Sequence, residues 1–415
     1  MPENESHART NMVLGVLNGI FFNLAGAFTH GGTVIPLFIS SLTESKVLIG
    51  VFSTLEAFGW SFPQVFSGAI IVGSPLVLWL YNRMSIVRIA SFLSLLALIF
   101  FLGDDNHHFL LVGFGIAYAV YSLTGGIAGV PFMEIVGKTI PSNRRGTFFG
   151  LRMFFGGLTA VAAGPVVKQF LAAYPFPYNF GYSFMIAFIL INGGLLIFAF
   201  AKEPASEVKQ PKKNFAENLK SAYMIYSKDS NIRRLIFSRI LSLCFLMAMP
   251  FYVIVAHQNL GISKALAASY LSFEMAGYLG LNFLWGWISN HVSNKRVMKL
   301  ATVFSLIPPV IALFSLYENP GYVIFGLTFF FNGAAASGTG LGFLNYLLEI
   351  GPEENRPILI GLVHTLVAPA AFMSVVGGLI IESVGLKMLF ILTFLCLVIS
   401  YFYISRLKEP RSGII

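Results

Sequence analysis

The chain has 415 residues, 56% of them hydrophobic and 11% charged, with a formal net charge of +9. Soluble proteins carry about 25% charged residues, so this composition excludes a soluble enzyme, and the basic surplus is explained by topology below rather than by a nucleic-acid partner. The two cysteines, Cys244 and Cys396, lie far apart in separate apolar runs, which argues against a disulfide framework or a cysteine metal site.

The first ten residues, MPENESHART, are polar. The apolar run after them is too long for a signal peptide and lacks its small-residue cleavage pattern, so it reads as a first membrane helix. Apolar runs of about 20 residues span a bilayer as helices. They are predicted at 12–38, 47–71, 76–102, 109–137, 147–173, 180–201, 233–256, 264–288, 297–316, 321–348, 357–381 and 386–405. The expected fold is therefore an all-α integral membrane protein of twelve transmembrane helices. The long polar stretch 202–232 divides it into an N-terminal half, 1–201, a solvated central linker, and a C-terminal half, 233–415.

Basic residues sort strongly between the two sets of loops. One set, with the termini, holds Lys138, Arg144, Arg145, the lysines and arginines from Lys202 to Arg234, Lys295, Arg296, Lys299, Arg356 and the C-terminal Arg406, Lys408 and Arg411. The opposite set holds Lys46, Lys168, Lys264 and Lys387. Lys and Arg concentrate on the cytoplasmic side, which puts both termini and the linker in the cytoplasm of a multi-pass protein, with the cell (inner) membrane the expected location. The lipid bilayer is its first partner, helped by anionic lipid at the inner face.

The halves repeat. SKVLIGVFSTLEAFGW (45–60) aligns with SKALAASYLSFEMAGY (263–278), placing Glu56 over Glu274 and Gly59 over Gly277. Gly115, Gly129 and Phe132 align with Gly326, Gly340 and Phe343, and Lys202-Glu203-Pro204 is echoed by Lys408-Glu409-Pro410. Six helices per repeat give both halves the same orientation, an arrangement that places binding between them near the midplane. Glu56 and Glu274 each lie about ten residues past a loop lysine, or ~15 Å at 1.5 Å per residue, half of a ~30 Å hydrocarbon core. An acid there is a candidate proton or ligand site; its alternative is a hydrogen-bonded group that fixes helix contacts.

At this point the chain resembles the major facilitator superfamily of secondary transporters, over nearly its whole length. GWISNHVSNKR (286–296) is similar to the family's gating loop, G-x-x-x-D-R-x-G-R-K/R-K/R, keeping Gly286, Lys295 and Arg296 but with Asn290 and His291 in the Asp-Arg positions. IPSNRRGTFFGLR (140–152), with Arg145, is similar to the turn after the family's fourth span. AVAAGPVV (160–167) keeps the Gly-Pro of the antiporter motif without its flanking glycines. The resemblance implies that spans 1, 4, 7 and 10 line the cavity, which adds Asn18, Asn23, Tyr118, Tyr121, Asn332 and Asn345 to the candidates.

His30, in GAFTHGGTVIP (26–36), and His364 titrate near neutral pH and are read either as proton or ligand groups or as hydrogen-bonded bundle residues. If span 3 starts near Leu76, Arg88 reaches the midplane and can pair with Glu56; if it starts near Met84, Arg83 and Arg88 both snorkel to the cytoplasmic interface, which is the favoured reading. Glu134 and Arg152 are expected to form a structural or gating pair. No phosphate loop, metal set or cofactor motif is recognised. The expected function is transport of a small solute by alternating access, coupled to protons because no dense carboxylate cluster suggests a sodium site. The alternative is a transport-fold sensor or assembly partner without flux.

Overall fold

The computed structural model describes residues 3–71, 74–103, 106–205, 226–227, 229–350, 363 and 366–410. Regular structure among these is entirely helical. The helices are α1 (Glu3–Phe28), α2 (Val34–Ile39), α3 (Lys46–Ser61), α4 (Gln64–Ile71), α5 (Leu78–Leu102), α6 (His107–Thr139), α7 (Ser142–Val161), α8 (Ala163–Ala173) and α9 (Tyr178–Ala199). They continue as α10 (Ser230–Ser242), α11 (Phe245–Gln258), α12 (Lys264–Ala268), α13 (Tyr270–His291), α14 (Asn294–Phe314), α15 (Gly321–Ile350), α16 (Met373–Val384) and α17 (Leu386–Ser405).

Every one of the twelve predicted runs contains helix, the eleventh being described at residue 363 and from 366 onward. Several runs are broken where the sequence carries a reason. Between α1 and α2, His30-Gly31-Gly32 forms a turn in which the His30 carbonyl accepts from the amides of Thr33, Val34 and Ile35. Between α3 and α4 stands Pro63, which has no N–H to continue the ladder. Such interruptions are tolerated within a membrane only where protein or a watery cavity satisfies the backbone.

The chain divides into two compact units. The first comprises Met1–Glu44, Phe52–Gln210 and Ser263–Ser272; the second comprises Ser45–Val51, Pro211–Ile262 and Phe273–Ile415. Each therefore takes a short segment from the opposite half of the sequence. In the first unit, Lys264 Nζ donates to Ser41 Oγ at 2.7 Å, and Ser272 Oγ donates to the Val161 carbonyl at 2.7 Å. In the second, Glu382 Oε1 accepts from Ser45 Oγ at 2.9 Å and from the Val47 amide at 3.1 Å. That carboxylate thus caps the start of α3, and a β-carbon added at Gly378 would collide with the Lys46 carbonyl beside it.

The first unit's core is aromatic, with Phe38 4.8 Å from Phe114 and 5.4 Å from Phe184, centroid to centroid. The second packs Leu235, Ile236, Met298, Tyr346 and Leu347 together, with a separate cluster around the fully buried Trp285. Both units close on themselves by a repeated tie. Asn11 Oδ1 accepts from the Lys202 amide at 2.9 Å, and Asn231 Oδ1 accepts from the Lys408 amide at 2.9 Å.

Candidate functional site

The two midspan acids sit in different surroundings. In the first unit, Glu56 on α3 accepts a hydrogen bond through Oε2 from Tyr118 Oη on α6, at 3.5 Å. Tyr118 is buried, whereas the Glu56 side chain is exposed. Arg88 on α5 and His30 in the α1–α2 turn both act electrostatically on this carboxylate. Arg88 is 7% exposed. Its Nη2 donates to Tyr121 Oη at 2.9 Å, and its guanidinium carbon lies 4.3 Å from the Tyr121 ring centroid and 5.1 Å from that of Phe22. Gly125 makes this possible: a β-carbon there would stand 3.0 Å from the Arg88 guanidinium carbon. Tyr118 and Tyr121 stack at 6.1 Å, and Phe92 meets Tyr121 edge-on at 5.1 Å.

Arg88 thereby departs from the favoured expectation that it snorkels. Helix α5 begins at Leu78, so Arg88 lies about ten residues, or ~15 Å, along it. The start is set by Glu203, whose carboxylate accepts from the Val77 and Leu78 amides at 2.9 and 2.8 Å. Glu203 also meets Lys138 Nζ at 2.7 Å, and its side chain is 2% exposed.

Glu274, the repeat partner of Glu56, is 4% exposed. Its Oε1 accepts from Asn332 Nδ2 on α15 at 2.9 Å. Gly277 and Gly333 bring α13 and α15 into backbone contact, since a β-carbon at either would collide with a carbonyl of the facing helix. The repeat offset of the fourth and tenth spans places Tyr121 over Asn332. Both acids thus meet a polar side chain on the matching neighbour helix, one acid accessible and one enclosed.

The remaining candidates scatter. His30 Nδ1 accepts from the Gly32 amide at 3.3 Å and lies 3.2 Å from Thr33 Oγ1. Asn18 is occupied by structure: it donates to the Gly194 carbonyl at 2.8 Å and accepts from Arg152 Nη1 at 3.0 Å. Asn23 bonds back to Gly19 of its own helix at 2.8 Å. Asn345 donates to Ser289 Oγ at 3.2 Å, and Ser289 donates to Asn294 Oδ1 at 2.6 Å. His364 lies outside the described residues.

The expected Glu134–Arg152 pair does not form. Arg152 instead donates to the Gly15 carbonyl and lies over Phe132 and Phe148, and Glu134 approaches Lys138 at 4.0 Å along its own helix. The α7 residue turns toward α1, whose Gly19 leaves room for it, while Gly15 leaves room for the Phe148 ring. Arg145 caps the end of α6 through the Ile140 and Gly137 carbonyls at 3.0 and 2.7 Å. In the loop similar to the gating motif, Gly286 has open space where a β-carbon would stand, Lys295 Nζ caps the Leu407 carbonyl at 2.6 Å, and the Arg296 amide donates to Ser293 Oγ at 3.2 Å. Glu203 and Glu382 escaped the sequence reading as site-forming residues. The echoed Lys-Glu-Pro was the only signal for the first, and the second had none.

Known proteins locate this arrangement. A family model described as Major Facilitator Superfamily matches residues 235–414. No curated protein matches the sequence. Among solved structures, the nucleoside transporter NupG is 14% identical with a TM-score of 0.71, covering 96% of this chain and 99% of that one. A D-xylose–proton symporter is 14% identical with a TM-score of 0.72, covering 97% and 98%. The xylose transporter XylE from E. coli, in an inward-open conformation, is 14% identical with a TM-score of 0.71, covering 97% of each chain. The family match thus covers the second half of the chain, and these solved transporters share its fold over the whole length.

Proposed function

We propose that the protein is a secondary transporter of a small solute, working by alternating access and coupled to protons through Glu56. The observation that carries this reading is an accessible midspan carboxylate held against a buried tyrosine, with a buried arginine and a histidine acting on it. The transporter fold supports it, and a D-xylose–proton symporter stands among the proteins that share that fold. Residues 1–201 and 233–415 are the two moving halves, joined by 202–232, with both termini cytoplasmic. Ionised Glu56 is attracted by Arg88 and accepts from Tyr118. Protonation removes the attraction, so the two protonation states favour different arrangements of α3 against α5 and α6. A proton then shifts the conformational balance by its differential interaction with those states.

The first measurement is thermal stability of the purified protein against sugars, amino acids, organic anions and cationic drugs, at about pH 5.5 and about pH 7.5. A ligand found there is then loaded into proteoliposomes under an imposed pH gradient. The expected result is saturable flux that follows the gradient. Flux indifferent to the gradient overturns the coupling, and no flux for any stabilising ligand overturns transport.

A further inference from the structure

Arg239 stands apart from the Glu56 cluster. It lies on α10 in the second unit, with its guanidinium carbon 4.8 Å from the Phe343 ring centroid. The internal repeat supplies a control. Phe132, the repeat partner of Phe343, also carries an arginine, with Arg152 at 4.6 Å. Arg152 Nη1 is satisfied by the Gly15 carbonyl and Asn18. Among the described residues, the buried Arg239 Nη1 has no hydrogen-bond partner. Among the described residues no carboxylate forms an ion pair with it. A buried donor without an acceptor costs about 1–3 kcal/mol, and more when charged, so stacking on Phe343 alone leaves the guanidinium under-served.

Beside Arg239 is a cavity of about 270 Å³, walled by Leu235, Phe343, Leu344, Leu347 and Val363 and by Gly340, where a β-carbon would meet nothing within 4 Å. Among the described residues its lining is apolar except for the arginine. A guanidinium fork matches a carboxylate or phosphate. The walls would strip water from an inorganic anion without return, and a neutral ligand would leave the charge uncompensated. The volume is just below the ~300 Å³ at which small-molecule pockets begin, which suits a short amphiphile or the head end of a longer chain.

We propose that Arg239 and this cavity bind an amphipathic monoanion, its carboxylate or phosphate on the guanidinium and its hydrocarbon against the walls. The site does not depend on flux through the protein, and its test reads binding alone. The full-length protein in neutral detergent is melted with octanoate, with octanol as the uncharged chain, and with inorganic phosphate as the chainless anion. Octanoate is expected to raise the midpoint by about 3 °C and the other two to leave it in place. Arg239→Gln is expected to abolish the rise. So is Gly340→Leu, which fills the cavity while keeping the arginine; this second variant decides the matter if the first does not fold. Equal effects of octanoate and octanol overturn the proposal, as does no effect of octanoate or a rise that survives both substitutions. Repeating the wild-type melt in nanodiscs assigns the occupant: loss of the octanoate effect in phosphatidylglycerol but not phosphatidylcholine marks a lipid, and persistence in both marks a soluble acid.

Discussion

At the scale of single residues, the internal duplication gives the two acids the same depth and then separates them. Glu56 keeps an exposed carboxylate, whereas Glu274 is enclosed against Asn332. Their substitutions should therefore differ. Glu56→Gln is expected to leave the melting temperature nearly unchanged and to lower flux driven by a pH gradient at least about tenfold, ~1.4 kcal/mol; proteoliposome assays at several gradients check it. Glu274→Gln keeps an acceptor for Asn332 and should be mild. Glu274→Ala leaves the Asn332 amide unpaired in a closed site and should cost about 2 kcal/mol of stability, measured by denaturation in detergent. The sequence makes the pair legible through SKVLIGVFSTLEAFGW and its echo, but not which member stays accessible. That depends on whether a tyrosine or an asparagine faces the acid, and on how closely glycines let the neighbouring helix approach.

At the scale of elements, capping at a distance decides what local pattern cannot. The start of α5 carries no capping side chain of its own; its free amides are taken by Glu203, 126 residues from Val77. This is why the depth of Arg88 was ambiguous in the sequence, and why the span's starting point had to come from the fold. Glu203→Ala would strand the Lys138 ammonium, whose side chain is 9% exposed, together with two helix amides. Breaking a buried pair costs about 3–5 kcal/mol, so the variant is expected to melt well below wild type, and Lys138→Met beside it should recover part of the loss. Gly277→Ala would drive a methyl into the Phe330 carbonyl and part α13 from α15. Its expected cost is about 1–3 kcal/mol, checked by the same melt.

At the scale of the whole molecule, the twelve apolar runs were legible from length and hydropathy, because a helix is the economical way to carry a backbone through hydrocarbon. The exchange of segments 45–51 and 263–272 between units was not, because it rests on contacts between residues more than 100 positions apart. Glu382 lies one residue past the predicted eleventh span. The Val47 amide and the Ser45 hydroxyl, with Lys46 nearby, hold its carboxyl below the usual carboxylate range. A depressed pKa means that the contact is at full strength above the ordinary carboxylate value and is lost only as pH falls through the lowered one. Between about pH 5.5 and pH 7.5 it should therefore not respond to protons. Glu382→Gln is expected to shift the balance of conformations equally at both values, as read by cysteine accessibility along α3, leaving pH dependence to Glu56. The paired ties Asn11–Lys202 and Asn231–Lys408 carry a different consequence. Each sutures the start of one half of the sequence to its end, so neither half relies on the peptide between them for that closure. Two separately translated fragments, severed within 206–225, should then find one another in a membrane and reconstitute a working protein, as though one gene had been returned to two.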